Sequence, residues 1–311
     1  MSVEALKAPI APVVVQAGDA EIRRLGFRLT LPAQLLLAFI VLFPLVMELY
    51  ISFTDWTPLV GKNWVWAYRY WNGFDNYVEV LTNARLWGSI IRTFVVMIVC
   101  VPTELLLGLG IALLFTGDFF GKRFFYSILL MPMMIVPAVA GYMFFMLFQS
   151  GGPVNGILSA LTGSQVAIAW LSHANLALAA VMIADIWQWT PLMFLILLAG
   201  LLGVPEDQLQ MATLLGAGRW ARLRHIVLPR IGRILVIAVA IRTIEIFKIF
   251  DTLYIMTSGG PGDSTETISV YIYKVTMQDL EWSYVATIAL FILVVLSAVA
   301  IPAIKRFGAT R

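Results

Sequence analysis

GVPEDQLQMATLLGAGRWARLRHIVLPRIG, residues 203–232, is a polar and basic interruption between two apolar runs at about 174–202 and 234–256. Pro205, Glu206 and Asp207 read as a helix start, because proline suits a first turn and acids favour the positive helix end. Leu209, Met211, Ala212 and Leu215 then place apolar side chains at near-helical spacing. Gly216 can take the left-handed conformation that ends a helix, and Gly218 permits a tight turn. A second short helix is expected over about 219–227, carrying Arg219, Arg222 and Arg224 and stopped by Pro229. A helix-turn-helix of this kind on a membrane face is either a basic amphipathic hairpin held by anionic lipid or a docking element for a protein.

The flanking runs are two of six. Stretches of about 20 mostly apolar residues, the length that spans a hydrocarbon core, fall near 29–53, 88–115, 126–149, 174–202, 234–256 and 284–304. The composition agrees: 60% of the 311 residues are hydrophobic and 13% charged, against about 45–50% and about 25% in soluble domains. A water-soluble globule and a disordered chain are both excluded. The predicted fold is an all-α membrane protein of six transmembrane helices. Its membrane domain spans 29–304, with a mobile tail over 1–28, ending in a short interfacial helix near 21–28, and a second tail over 305–311. Glu4, Lys7, Asp19 and Glu21 interrupt the first stretch, which argues against a cleaved signal peptide.

Basic residues set the orientation. With the amino terminus inside, the inner segments carry fourteen Lys and Arg and the outer ones four, namely Lys62, Arg69, Arg85 and Lys274. This bias places both termini in the cytoplasm. The outer segment 54–87 is dense in aromatics, among them Trp56, Trp64, Trp66, Trp71 and Phe74, which suits either a helix cap at the lipid headgroups or a surface for an external partner.

Several chemistries are missing from the sequence. GDFFGKR at 117–123 is one spacer short of a Walker A loop and has Arg123 where Ser or Thr must reach magnesium. His173 and His225 are far apart, and no H-E-x-x-H or G-x-S-x-G occurs. Cys100 is the single cysteine, so neither an internal disulfide nor a cysteine zinc cluster forms. No cofactor is expected, no metal and no nucleic acid, the net charge being only +3. Ionisable residues inside spans are costly and mark function or pairing: Glu48, Arg92, Glu104, Asp185, Arg242, Glu245, Lys248 and Asp251. Arg242, Glu245 and Ile249 share a helix face. An ion pair between Arg242 and Glu245 that only assembles the bundle is the alternative to a binding role.

Segment 203–232 resembles the E-A-A loop of ATP-binding-cassette importer permeases, E-A-A-x-x-D-G-A followed by I-x-L-P. The acid position falls on Gln210, the alanines on Met211 and Ala212, and the Asp on Leu215, while Gly216, Ala217, Ile226, Leu228 and Pro229 match. GFDNY at 73–77, IWQWTP at 186–191 and FDTLYIMTSGGPG at 250–262 resemble motifs of the carbohydrate, maltose-type branch. The resemblance implies a type I, MetI-like permease in a bacterial inner membrane, non-catalytic itself. It also implies a homologous second permease, two ATPase subunits docked on the loops of the two permeases, here at Gln210, Met211, Ala212, Leu215, Gly216 and Ala217, and an extracytoplasmic sugar-binding protein. Family sugar positions carried over by spacing fall on Gln188, Trp189, Leu192, Arg242, Glu245, Ile246 and Ile249. Both a neutral sugar and an anionic derivative recognised by Arg242 stay open. An ion-coupled secondary transporter working as a dimer is the alternative function.

Overall fold

The computed structural model describes residues 18–308; of the tails expected at 1–28 and 305–311, residues 1–17 and 309–311 lie outside them. The regular structure of the described residues is helical, the single strand-like pairing among them being a bridge between Thr54 and Trp71. Contacts divide the chain into two units.

The smaller unit, 18–77 with 281–308, pairs α1 (Gly18–Ser52) with α13 (Trp282–Gly308). Helix α1 begins at Gly18, so it extends through the positions where the interfacial helix was expected. Hydroxyls knit the aromatic segment to α13: Ser283 Oγ donates to the Trp56 carbonyl at 2.7 Å, and Thr287 Oγ1 to that of Ser52 at 3.2 Å. Trp66, Tyr68 and Trp71 remain exposed, with Arg69 lying 4.6 Å over the Trp66 ring.

The larger unit, 78–280, is built on the long helices α3 (Ala84–Phe115) and α7 (Ala174–Leu202), which follow the short α2 (Asp75–Thr82). Gly108 lets their backbones meet: a Cβ there would lie 2.8 Å from Met193 Cβ and 2.9 Å from Phe194 N. Helix α10 (Leu228–Phe247) packs on both, and Val96, Cys100, Met193, Ala238 and Ile246 form the apolar core between them.

Two expected spans are not continuous. The third is α4 (Lys122–Met134) and α5 (Pro137–Leu147), bent by 97°. Pro137 forces Val136 into an extended conformation (ψ 134°), so the helix cannot pass through. The fifth ends at Phe247, unwinds over 248–250, and restarts as α11 (Asp251–Thr257). Among the described residues, three helices, at Arg24–Ser52, Ala84–Phe115 and Ala174–Leu202, are long and apolar enough to cross a membrane, and the bent pair makes a fourth if it counts as one span. Helix α6 (Pro153–Thr162) follows the bent pair, and α12 (Ile268–Met277) follows α11.

Pro229 also behaves differently from expectation. The chain runs from α9 (Arg219–Arg222) through a π turn at Leu223–Val227 directly into α10, where Pro229 occupies the first turn. The wider π turn, with Leu228 N bonded to Leu223 O, accommodates a ring that would crowd the preceding carbonyls of an α-helix.

Candidate functional site

A polar cavity of about 190 Å³ opens where α7, α10, the starts of α5 and α11 and the unwound segment meet, Pro137 being the contribution of α5. Helix α7 contributes Asp185 and Trp189, and α10 contributes Arg242 and Glu245. Lys248, Ile249 and Phe250 come from the unwound stretch, and Asp251 and Thr252 from the start of α11. The break at 248–250 thus turns backbone that would close an ordinary helix into one wall of the cavity.

Arg242 is almost wholly buried and is gripped by two acids from other helices. Its Nε donates to Glu104 Oε2 at 2.6 Å and its Nη2 to Glu104 Oε1 at 3.0 Å. Nη2 also pairs with Asp185. The guanidinium lies 5.2 Å over the Trp189 ring, a cation–π geometry. The expected pairing of Arg242 with Glu245 is therefore not the one formed. Glu245 pairs with Lys248, three residues on, at 3.2 Å, because α10 turns Arg242 inward toward α3 and α7 and leaves Glu245 on its outer flank.

Of the seven carried-over positions, Trp189, Arg242, Glu245 and Ile249 line the cavity. Ile246 is in the apolar core, and Leu192 is half-buried away from the lining. Gln188 is buried facing the bend instead: its Nε2 donates to the Ile135 carbonyl at 2.8 Å, where α4 ends. Asp185, Lys248, Asp251 and Glu104 had been singled out as costly intramembrane charges, but nothing in their spacing announced that they converge.

On segment 203–232, α8 (Glu206–Leu214) ends in a Schellman turn. Gly216, at φ +84°, donates to Thr213 O at 3.0 Å, and Ala217 donates to Ala212 O at 2.9 Å. Arg222 Nη1 closes the hairpin onto Thr213 Oγ1 at 2.7 Å. The expected single apolar stripe is split. Leu209 packs inward and Ala212 is half-buried, while Met211, Leu214, Leu215 and Trp220 stand exposed, Leu215 by 82%. Gln210 lines a groove of about 420 Å³ between α8 and the ends of α3 and α7.

A second ion cluster joins α3 to the loop before α12. Glu266, with no exposed side-chain surface, accepts from Arg85 at 3.0 and 2.9 Å and from Lys274 at 2.8 Å. Arg92 Nε holds the Glu266 carbonyl at 2.8 Å. Burial alone would push this carboxyl up, but the hydrogen bonds from Arg85 and Lys274 prevail and hold it below the usual carboxylate range. Among the described residues no group of three or more His, Cys, Asp or Glu side chains is placed to hold a metal.

Residues 82–306 match the family described as binding-protein-dependent transport system inner membrane component. The chain is 32% identical to the trehalose/maltose transport system permease protein MalF of Thermococcus litoralis, over 81% of this chain and 83% of that one. It is 33% identical to the sulfoquinovosyl glycerol transport system permease protein SmoG of Agrobacterium fabrum, over 86% and 85% respectively. Its fold is similar to that of a chain in the crystal structure of a bacterial alginate ABC transporter in complex with an alginate pentasaccharide-bound periplasmic protein. There the TM-score is 0.76 at 17% identity, covering 94% of this chain and 98% of the other.

Proposed function

Because the chain belongs to the family of binding-protein-dependent transport system inner membrane components, we propose that it forms half of the translocation pathway of an importer for a sugar or sugar derivative. It is a non-catalytic membrane subunit, working with an external binding protein and a second permease. One ATPase subunit docks on this hairpin at Gln210, Met211, Ala212, Leu215, Gly216 and Ala217, and a second docks on the corresponding loop of the partner permease. The observation that carries this reading is the exposed apolar cluster of Met211, Leu214, Leu215 and Trp220 on a hairpin closed by its own Schellman turn. Apolar side chains so exposed beside a basic segment are covered either by lipid or by a protein, and membership of a binding-protein-dependent transport family favours the protein.

Six spans with both termini cytoplasmic fit the basic-residue bias, with the bent pair, the interrupted α10–α11 and α13 supplying the spans beyond the three long helices. Residues 29–304 then form the permease domain, with cytoplasmic tails on either side. Sugar contacts are assigned to Trp189, Glu245 and Ile249 at the cavity, with Arg242 backing the Trp189 ring, while Gln188, Leu192 and Ile246 lie off the lining and support the helices around it.

Reconstitution with the partner permease, ATPases and binding protein in proteoliposomes loaded with ATP tests the whole. Uptake should persist when all ion gradients are collapsed and cease when ATP is left out. Uptake that stops on gradient collapse would make the chain an ion-coupled transporter instead.

A further inference from the structure

The charges around the cavity do not balance, and their pairing shows which of them a ligand meets. Arg242 is the deeper cation, but two carboxylates already hold it and its side chain is only 2% exposed. Lys248, the other cation of the lining, is matched by Glu245. Asp251 is exposed at the cavity wall and has no ion-pair partner among the described residues. Asp185, Glu245 and Asp251 thus face Arg242 and Lys248, one carboxylate in excess, and Glu104 behind Arg242 adds a second.

An anionic group entering this space would meet no unpaired cation and would lie beside an unpaired carboxylate. A hydroxyl-bearing ring meets the opposite situation, because carboxylates are acceptors only and sugar hydroxyls supply donors. Building on the reading of the cavity as a sugar site, we propose that it is a charge filter against anionic sugars. Asp251 and Glu245 determine specificity by accepting hydroxyl hydrogens and repelling carboxylate or sulfonate groups. Arg242 is a positioning residue: it locks Asp185 and Glu104 and backs the Trp189 ring, and it is not the receptor for an anion.

The test uses the purified, complete transporter in nanodiscs, without binding protein, so that the permease alone is read. Saturation-transfer NMR is run with maltose and trehalose as neutral probes and maltobionate as a size-matched anion. The wild type should show maltose or trehalose strongly and maltobionate only weakly. Asp251→Asn removes an exposed, unpaired charge, so the complex should assemble normally, and the maltobionate signal should rise on the order of tenfold relative to the neutral probes. Arg242→Gln should lower the yield of complex without changing the ratio between anionic and neutral probes. Maltobionate binding by the wild type on a par with the neutral sugars overturns the filter. So does selective loss of maltobionate binding in Arg242→Gln, or an unchanged ratio in Asp251→Asn. If none of the three probes binds, the sugar reading of the cavity falls along with the filter.

Discussion

Glu266→Gln tests whether the outer ion cluster stabilises the larger unit. The substitution keeps the shape of a fully buried side chain and removes its charge, leaving Arg85 and Lys274 a neutral amide and the more distant Asp263 carboxylate at 3.7 and 3.9 Å. Deleting one partner of a buried ion pair costs about 3–5 kcal/mol. The released cations are not equally trapped: the Arg85 side chain is 39% exposed and regains water, whereas that of Lys274 is 13% exposed and does not. Discounting the Arg85 share leaves roughly 2–3 kcal/mol. For a cooperative unit of about 200 residues this corresponds to a drop in Tm of roughly 5–10 °C. The pH dependence has a definite sign. The folded carboxyl is held below its unfolded value, so its contribution is fully present above about pH 4.3 and disappears as pH falls through the folded value. Fluorescence-detected melting of purified wild type and variant should therefore show a constant gap from pH 7 to pH 5 that narrows on further acidification. A gap under about 2 °C at pH 7, or one that stays constant as the folded carboxyl titrates, would refute the reasoning.

Two further substitutions probe helix contact and hairpin. Gly108→Ala places a Cβ 2.8 Å from Met193 and should destabilise by about 1–3 kcal/mol in the same melting assay, whereas Gly110→Ala, with open space around it in the interior of α3, should leave the Tm unchanged or raise it slightly. Gly216→Val forces a β-branched side chain into φ +84° and should sharply reduce ATPase co-purification and transport, with Gln210→Ala doing less; intact co-purification in Gly216→Val would return the hairpin to the lipid surface.

Features that depend on a few neighbouring residues were legible in the sequence. Composition and apolar run length identified membrane helices, since the bilayer imposes one length and one polarity on any span. Gly216 was readable as a left-handed helix end because a Schellman turn closes within six residues. The break at Ile135–Val136 had a local cause in Pro137, but a run judged by hydropathy averages across it. The partners of Arg242 were not legible: Glu104 is 138 residues away and Asp185 is 57. Spacing along one helix suggested Glu245 instead, three residues on. The same holds for Glu266, whose Arg85 partner is 181 residues distant. Helix ends are encoded in the few residues that form their hydrogen bonds. Which buried charges meet depends on how helices rotate and cross, and the packing of Gly108 against Met193 and Phe194 and the bends at 135–136 and 248–250 set that in three dimensions.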